Sequence, residues 1–514
     1  MTGQKTTKHE VDERLSALIS NTGAVRAITG AVEGTLGPLG LDTMLVDHMG
    51  DIVVTNAGVT ILDLMEVSHP AARMMINIAR SQHEEIGDGT TTATIMAGTI
   101  VNEGLSKILK GVPVARIIDG MRMGINEAIK EFKKKTVPVD YPDDPAIKQV
   151  ALIAGRGNED IAQNATKAAL LVGKEKLLDP SFKLKESVVA VEGAENEVFQ
   201  GIILKKKPVN EAMPRNLENV KILCIDDPLD VEKPEEGSLG TELGLSHYIE
   251  KQKQFIENIK KIVSLGIKCI LVSRGISDKA EEILTDNGVL VITRLTSRQM
   301  RRVCEHTGSI ALRRSTLDRS KNDLSRYLGL AGKVVFDRRH KNIRILEGAG
   351  KPVATFLVGA STSEVVEEME RIACDAVCAV QAAVRGGIVA GGGASELAIS
   401  RTLARTRNTI SGMSAYGVDC VVEALKRPIA QIIQNAGFNP LEKVEEVISA
   451  QTNLDDENLG FDCKTGHVVN MIEMKVVDPT LVKLFALKAA GEVAQAILRI
   501  NTIIKMKNNQ PINI

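Results

Sequence analysis

The predicted secondary structure changes along the chain in a symmetric order, from helical through mixed and α/β back to helical. This order constrains the fold more than any single motif does. Apolar side chains have helical spacing over residues 14–135, 146–210 mix helix with strand, and an α/β pattern begins near 219. After residue 364 the pattern is mainly helical again. Three prolines within 136–145 stop the first helical part. The order predicts a nested arrangement, in which both ends of the chain form one domain and the middle is inserted into it.

Strand signals interrupt the helical pattern at defined places. Residues 44–46 and 52–55 flank a turn through His48 and Gly50, which predicts a hairpin. Short strands are expected near 188–191 and 202–204. The middle of the chain alternates strand and helix patterns at 220–225, 249–265, 269–273, 278–286 and 289–293. This alternation indicates an α/β unit with parallel strands.

Composition excludes several classes of protein. The 514 residues are 44% apolar and 25% charged, which is typical of a globular chain of several domains. A net charge of −1 and an aromatic content of 3% argue against a nucleic-acid partner. No leader-like segment or run of about twenty apolar residues occurs, so no membrane span is expected. Seven cysteines without a CxxC pair suggest reduced thiols in a cytoplasmic protein.

Residues 87–92 read Gly-Asp-Gly-Thr-Thr-Thr and precede apolar residues with helical spacing. The start of a helix offers free N–H groups and a positive potential to an anion, and threonines add hydroxyl donors. The Asp88 carboxylate could hold a hard divalent cation that bridges phosphates. No GxxxxGK[ST] motif is present, so a magnesium-nucleotide site here would not be a Walker P-loop. By local rules alone, an Asp-Gly turn that caps a helix explains the run equally well.

Six motifs occur together in chain order. They are Thr35-Leu36-Gly37-Pro38, Thr-Asn-x-Gly-x-Thr at 55–60, His69-Pro70-Ala71-Ala72, the run at 87–92, Val389-Ala390-Gly391-Gly392-Gly393, and Asp478-Pro479 with Ile497-Leu498-Arg499-Ile500. With these motifs the chain resembles a chaperonin subunit along its whole length. The segments 232–258 and 274–278 resemble an apical domain with a helical protrusion. The resemblance is therefore to the thermosome-like group II and III chaperonins of archaea and some bacteria.

The resemblance implies a multi-domain α+β fold with three domains. These are a mostly helical equatorial ATP-binding domain (1–139 and 393–514), a mixed α/β intermediate hinge domain (140–210 and 358–392), and an α/β apical substrate-binding domain (211–357) with a built-in lid at about 231–258. It also implies a homo-oligomeric double ring that encloses unfolded or partly folded client proteins. No separate cap protein is expected.

The implied cofactors are ATP and Mg2+, with Asp88 as the metal ligand and K+ as a further candidate cation. The residues that match the family's nucleotide-binding motifs are Thr35, Leu36, Gly37, Pro38, Asn56, Asp88, Gly89, Thr90, Thr91, Thr92, Gly392, Asp462, Cys463 and Asp478. Arg156 aligns with a sensor of the γ-phosphate. Local rules offer plainer interpretations for three sites: a joint at 391–393, a helix N-cap at Asp478, and a surface loop residue at Arg156.

Of the two catalytic aspartates in the family's pattern, this chain matches only one. By resemblance Asp375 orients the attacking water, although its helical pattern alone favours a solvated carboxylate. At the position of a second family aspartate the chain has Ala57, in Thr55-Asn56-Ala57-Gly58. Loss of one water-orienting carboxylate predicts a rate lower by roughly 10²–10⁴. Leu39 also replaces a family lysine beside the phosphates, so phosphate affinity or cation preference is expected to differ.

Three hypotheses follow from these residues. The first is an ATPase-driven folding chamber, slowed by Ala57. The second is a non-cycling, nucleotide-bound holdase or structural ring. The third is a metabolic enzyme that binds a dinucleotide on residues 219–293, but no GxGxxG follows a strand there.

Overall fold

The computed structural model of the chain describes residues 4–232 and 242–504. The chain divides into two compact units. The first contains residues 1–166, 177–185 and 371–514, and the second contains 167–176 and 186–370. The first unit thus combines the two ends of the sequence. The division into three domains, with boundaries near 139, 210, 357 and 392, stays a prediction.

The helices and strands are numbered in chain order. The helices are α1 (Gln4–Glu33), α2 (Gly58–Leu64), α3 (Pro70–Glu85), α4 (Thr90–Leu109), α5 (Val114–Lys135), α6 (Pro145–Ala154), α7 (Glu159–Val172), α8 (Lys174–Leu178), α9 (Glu242–Ser264), α10 (Asp278–Asp286), α11 (Ser297–Thr307), α12 (Lys321–Ser325), α13 (Ser363–Gly386), α14 (Ala394–Arg407), α15 (Ala415–Asn435), α16 (Pro440–Asn453) and α17 (Thr480–Arg499). The strands are β1 (Thr43–Val46), β2 (Ile52–Thr55), β3 (Val188–Glu192), β4 (Glu197–Leu204), β5 (Asn216–Ile225), β6 (Ile267–Val272), β7 (Leu290–Ile292), β8 (Gly329–Asp337), β9 (Asn342–Gly348), β10 (Ala354–Ala360), β11 (Ile388–Ala390), β12 (Leu459–Phe461), β13 (Val468–Asn470) and β14 (Val477–Pro479).

The first unit is built around α4, which packs on α1, α3, α15 and α17. Most of its buried side chains are small or β-branched, as at Ala93, Ala97, Ile100 and Val101. Helix α5 packs on α15 where Gly120 meets Gly417, and a Cβ added at Gly120 would lie 2.8 Å from the Gly417 Cα. The core therefore joins helices from both ends of the sequence and fixes the start of α4 in position.

Several elements of this unit confirm the sequence pattern. Helix α5 ends at Lys135, before the three prolines, and Asp144 caps α6 before Pro145. Strands β1 and β2 form the predicted antiparallel hairpin, with Leu45 opposite Val53. Helices α7, α8 and α13 run across the division between the two units.

The second unit contains an eight-stranded sheet in the order β3-β10-β4-β9-β8-β5-β6-β7. Strands β5, β6 and β7 are parallel, and α10 covers residues 278–286, as the alternating pattern predicts. The prediction of a parallel unit is incomplete, because β5 also pairs antiparallel with β8, and β8 pairs antiparallel with β9. The β8–β9 turn needs only four residues, whereas a parallel pair needs a long crossover.

The predicted lid at about 231–258 lies partly outside the described residues. Within the described part, residues 242–258 belong to α9, whose buried residues Phe255, Ile259 and Ile262 join the core of the second unit. Among the helices of residues 4–232 and 242–504, none combines the length and the apolar character that crossing a membrane requires.

Candidate nucleotide-binding site

The turn between α3 and α4 carries the Gly-Asp-Gly run. Gly87 and Gly89 have φ values of 90° and 79°, which disfavour residues with a Cβ. A Cβ at Gly89 would also lie 2.5 Å from the Val482 Cγ1, and one at Gly87 would clash with the Cys378 side chain. Because the N-cap residue of α4 is Gly89, it offers no side chain to the free N–H groups of the first turn. The turn therefore leaves those donors for another partner.

Hydrogen bonds fix both the side chain and the main chain of Asp88. Its carboxylate Oδ1 accepts a hydrogen bond from the backbone N–H of Gly89 at 2.6 Å. Its carbonyl accepts from the Gln82 Nε2 at 2.7 Å, and the same amide donates to the carbonyl of Val482 at 3.2 Å. Gln82 is fully buried, so it ties the turn to α17 from within the core. The aspartate is thus fixed at the start of α4.

Asp478 reaches the same place from the other end of the sequence. Strand β14 pairs antiparallel with β11, and Asp478 lies opposite Val389. The strand β11 leads directly into Gly391, where an added Cβ would lie 3.1 Å from the Asp478 carboxylate. The predicted glycine run and the predicted aspartate are therefore neighbours.

The two aspartates influence each other electrostatically. Burial raises the pKa of Asp88, and the negative charge of Asp478 raises this pKa further. The hydrogen bond from Gly89 and the charges of Lys483 and Arg156 oppose this rise. Arg156 thus lies within electrostatic reach of Asp88. A cation bound at this place would favour the ionised form of the Asp88 carboxylate.

A buried ion triad supports Asp478. The Lys483 Nζ lies 2.7 Å from the Asp478 Oδ2 and 2.7 Å from the Glu396 Oε1. Glu396 is fully buried, and the side chain of Lys483 is 9% exposed. The pKa of Lys483 is raised well above its usual range, because both carboxylates outweigh the effect of burial. The triad links the start of α14, just after the glycine run, to α17.

The segment with Ala57 lies against the first turn of α4. A Cβ added at Gly58 would lie 3.3 Å from the Thr90 Oγ1 and would clash with the Thr91 hydroxyl. Ala57 is the N-cap residue of α2, and alanine has no acceptor for the N–H groups of that helix. Gly58 and the threonines at 90 and 91 are therefore side by side, and position 57, next to Gly58, carries only a methyl group.

Asp375 belongs to the same neighbourhood. Burial raises the pKa of the Cys378 thiol to about 12, and the charges of Asp375 and Asp88 raise it further against the opposing charge of Lys185. Cys378 also packs against Gly87. Asp375 and Asp88 thus lie within reach of one thiol, so the structure brings the predicted catalytic aspartate of α13 close to the turn before α4.

Residues 35–38 follow α1 and form hydrogen bonds with α1 and with α15. The Thr35 hydroxyl donates to the Val32 carbonyl at 2.8 Å. The Asn435 amide of α15 donates to the carbonyls of Glu33 and Leu36, at 2.9 and 2.8 Å. Gly37 has a φ of 92° and leaves Pro38 exposed. In residues 4–232 and 242–504, no hydrogen bond or ion pair joins this loop to Asp88.

Asp462 and Cys463 lie in the turn of the β12–β13 hairpin. The Asp462 carboxylate accepts from the Thr465 hydroxyl at 2.6 Å and from the Lys464 N–H at 2.9 Å, and these bonds lower its pKa. Cys463 is buried beside Phe461. Met471 connects the hairpin to the glycine run, since a Cβ at Gly392 would lie 2.6 Å from the Met471 Cε. The hairpin approaches Gly392, while the Asp462 carboxylate serves its own turn.

Comparison with known proteins agrees with this geometry. The model of the TCP-1/cpn60 chaperonin family matches residues 28–508. The chain belongs to this chaperonin family. It is 33% identical over 496 residues to the thermosome subunit of Methanocaldococcus jannaschii, covering 94% of this chain and 91% of that protein. It is 34% identical over 505 residues to the thermosome subunit beta of Archaeoglobus fulgidus, covering 95% of this chain and 91% of that protein.

The fold comparison leads to the same family. A crystal structure of a group III chaperonin in the open state superposes with a TM-score of 0.85 at 45% identity, covering 96% of this chain and all of that one. The predicted resemblance to thermosome-like chaperonins and the predicted multi-domain α+β chaperonin fold are therefore confirmed.

Sequence reasoning missed three residues of this candidate site, namely Gln82, Glu396 and Lys483. Each is a polar side chain at a position where the helical pattern requires an apolar one. Gln82 follows Met75, Ile78 and Ala79 on the buried face of α3. A polar residue in such a position is a detectable signal, because buried polar groups require a partner. The identity of the partner cannot be read from spacing.

Proposed function

We propose that this chaperonin chain binds Mg2+-ATP at the start of α4 and hydrolyses it to drive the folding of non-native proteins. One observation carries the proposal: Asp478 lies within electrostatic reach of Asp88, 390 positions earlier in the chain, beside a helix start whose N-cap residue has no side chain. Free N–H groups accept phosphate oxygens at such a place. Family membership supports the same conclusion, because chaperonins are ATPases.

The donor set fits Mg2+ held together with a nucleotide. In the described part of the chain, no three His, Cys, Asp or Glu side chains form a metal-binding group. Mg2+ commonly uses one or two carboxylates and takes its remaining ligands from phosphates and water. Asp88 would be the protein ligand, and its raised pKa marks the place where positive charge is lacking. Bound Mg2+ would neutralise charge on the phosphates.

The remaining residues have proposed roles around that centre. Gly89, Thr90, Thr91 and Thr92 would donate to phosphate oxygens, and Thr35 to Pro38 would line the phosphates with backbone atoms. Asn56 would lie beside them, with Arg156 near the γ-phosphate. Gly392 and Asp478 would contact the ribose, and Asp462 with Cys463 would flank the adenine. Asp375 would orient the attacking water, because it lies within reach of the same thiol as Asp88.

Steady-state phosphate release tests the catalytic part of the proposal. The parent protein is expected to release phosphate slowly, and Ala57→Asp to raise the rate by roughly 10²-fold. Ala57→Asn is the matched control, because asparagine caps α2 as well as aspartate does but supplies no carboxylate. Asp375→Asn should abolish the remaining release. An equal rate in the Ala57→Asp and Ala57→Asn variants would contradict a catalytic role for position 57.

Ala57 also favours a second candidate, a ring that binds nucleotide without cycling. The two candidates differ in one measurement. If the parent binds ATP but releases phosphate no faster than buffer, the non-cycling ring is correct for this chain. If denatured test protein regains its activity only when ATP is hydrolysed, the folding chamber is correct.

We further propose a homo-oligomeric double ring for this subunit. Within residues 4–232 and 242–504, no third strand pairs with the β1–β2 hairpin, and Met44, Val46 and Met49 are each more than 60% exposed. Open edges with apolar side chains are hazardous unless another chain covers them. Light scattering should therefore give a mass near a megadalton, and a monomer at working concentration would contradict the ring.

A further inference from the structure

One short segment of the first unit connects the helix that carries Asp375 with the turn that carries Asp88. This segment, residues 177–185, belongs to the same compact unit as α3 and as α13 from residue 371 onward. It is hydrogen-bonded to α13 on one side and to the end of α3 on the other. The residues that make these bonds have no proposed contact with the nucleotide.

Helix α13 holds the 177–185 segment through two side chains. The Gln381 Oε1 accepts from the Leu184 N–H at 2.8 Å, and its Nε2 donates to the Phe182 carbonyl at 2.9 Å. The Arg385 Nε donates to the Leu177 carbonyl at 2.7 Å, and its Nη2 donates to the Phe182 carbonyl at 2.8 Å. Gln381 and Leu184 are buried, so water competes little with these bonds. The segment is therefore fixed to α13.

Two lysines of the same segment hold the end of α3. The Lys183 Nζ donates to the Glu84 carbonyl at 2.6 Å, and the Lys185 Nζ donates to the His83 carbonyl at 3.1 Å. The carbonyls of the last turn of a helix have no partner within the helix, and the helix dipole favours a positive charge there. The lysines thus complete the end of α3, immediately before the Asp88 turn.

Asp375 lies on the side of α13 that makes these contacts. Cys378 follows it by three residues and Arg385 by ten, which is the spacing of side chains on one side of a helix. Cys378 packs against the turn, since a Cβ added at Gly87 would lie 2.6 Å from the Cys378 Cβ. Gln381 is about 9 Å further along the helix axis than Asp375. The position of Asp375 relative to the turn therefore depends on how α13 and the end of α3 are held together.

A cleft lies between the 177–185 segment, α3 and α13. Most of the side chains that line it are polar, namely Glu84, Glu85, Lys183, Lys185, Gln381 and Arg385. An open cleft cannot fix two elements through close packing, because its walls are not in contact. The hydrogen bonds of the two lysines therefore hold the segment to α3 at this place.

We propose that Lys183 and Lys185 are positioning residues for ATP hydrolysis, which hold the Asp88 turn in a fixed position relative to Asp375. This rests on the proposed function, in which Asp88 binds the cation and Asp375 orients the attacking water. Each lysine acts through the end of α3 and not through the nucleotide. Without them the end of α3 is free to shift against α13, and the water-orienting carboxylate is misplaced. A misplacement of about 1 Å costs a reaction of this kind about 10²-fold in rate.

The single-turnover rate of phosphate formation, compared with nucleotide affinity, tests the proposal. The starting protein is the assembled Ala57→Asp chain, because its expected rate is high enough for a decrease to be measured. Combined Lys183→Met and Lys185→Met should lower this rate by about 10²-fold. The dissociation constant of a non-hydrolysable ATP analogue, measured by calorimetry, should change by less than about threefold, because the residues proposed to contact ATP are untouched.

The conservative variant separates positioning from a loss of structure. Combined Lys183→Arg and Lys185→Arg keeps both charges and both donors, and it should keep most of the rate. An unchanged rate in the methionine variant would overturn the proposal, and so would a decrease in affinity without a decrease in rate. An arginine variant as slow as the methionine variant would also overturn it.

The matched control removes two similar bonds from the second unit. Lys221 and Lys268 also donate to backbone carbonyls, those of Leu265 at 3.2 Å and Glu218 at 2.9 Å. Combined Lys221→Met and Lys268→Met should leave the rate and the affinity unchanged. A decrease in rate equal to that of the test variant would overturn the positioning role.

Alkylation of Cys378 gives a readout that does not depend on hydrolysis. This thiol is buried against Gly87, so iodoacetamide should leave it unmodified in the native protein. The methionine variant should expose it, and equal protection in both proteins would overturn the proposal. If the Ala57→Asp chain with both lysines released no phosphate, the proposed ATPase would be refuted instead, and the labelling would still decide whether the lysines hold the turn to α13. If the double variant does not assemble, Lys185→Met alone is measured in the same way.

Discussion

Replacement of Lys483 by methionine tests whether the buried triad organises the site. Methionine keeps much of the length of the side chain but removes the charge that bridges Asp478 and Glu396. Glu396 is fully buried, and the variant would leave it beside a second carboxylate with no cation between them. Breaking a buried ion pair by removing one partner destabilises a protein by about 3–5 kcal/mol.

The expected decrease in melting temperature follows from this free energy and from the number of residues in the first unit, which determines the melting entropy. A unit of about 300 residues has a melting entropy of about 0.6 kcal/mol/K, so the expected decrease is about 5–8 °C. Differential scanning calorimetry of the assembled protein without nucleotide measures it. The same variant should bind ATP more weakly, because Asp478 is no longer held in position.

The matched control for this variant is Lys488→Met, which makes the same change five residues further along α17. The side chain of Lys488 is 64% exposed, and its Nζ is 4.0 Å from the Glu492 Oε1. An exposed pair of this kind contributes less than about 1 kcal/mol, so the transition should move by less than about 2 °C. If the Lys483→Met variant melts no lower than this control, the structural argument for the triad is wrong.

Three further predictions concern single side chains. Without nucleotide, the Asp88→Asn variant should melt at the same temperature as the parent or higher, because burial and Asp478 disfavour the charged form of Asp88. ATP with Mg2+ at about 100 times its Kd should stabilise the parent by roughly 2.7 kcal/mol, and the variant should lack this stabilisation. Retention of that ligand-induced shift in calorimetry would contradict the role of Asp88. Burial lowers the pKa of the fully buried His306 to about 4, below its ordinary value of 6.5. The neutral imidazole therefore contributes fully to stability above pH 6.5, and this contribution, about 3 kcal/mol, is lost as the pH falls towards 4. Thermal unfolding of His306→Gln followed by circular dichroism should lack this loss, and an unchanged pH profile would refute it. Asn439→Ala removes the side chain that caps α16 at the Leu441 N–H (3.0 Å) and should lower the free energy of unfolding by about 1 kcal/mol, seen as a decrease of roughly 1–2 °C in the calorimetric transition; an unchanged transition would show that the cap contributes nothing.

Local patterns predicted those elements whose structure depends on nearby residues. Helix α10 occupies its predicted residues, the hairpin of β1 and β2 forms where two largely apolar runs flank a glycine turn, and α5 ends before the proline-rich segment. In each case the determining interactions are local, namely a cap, a turn or an apolar face.

Long-range pairing was beyond local patterns. The antiparallel strands β8 and β9 were missed because their sequence mixes glycine and charged residues with apolar ones, as at Lys333 and Arg344. Gln82 finds its partner 400 positions away at Val482, and Lys483 joins Asp478 to Glu396. Each contact depends on how distant segments of the chain pack together, and residue spacing does not predict such packing.

The candidate site was predicted by resemblance rather than by local rules. Local rules explained Asp88 equally well as a cation ligand or as part of a helix-capping turn, and they favoured a solvated surface carboxylate for Asp375. The structure brings Asp478 and Arg156 within electrostatic reach of Asp88, which the residues alone did not require. The roles of these residues toward a nucleotide remain predictions.

A structure of the assembled protein with Mg2+ and a non-hydrolysable ATP analogue tests the central claim most directly. We predict phosphate density over the N–H groups of residues 89–92, a cation with an Asp88 oxygen among its ligands, and the ribose hydroxyls within hydrogen-bond distance of Asp478. A nucleotide bound elsewhere, or one whose cation is coordinated without Asp88, would contradict this account.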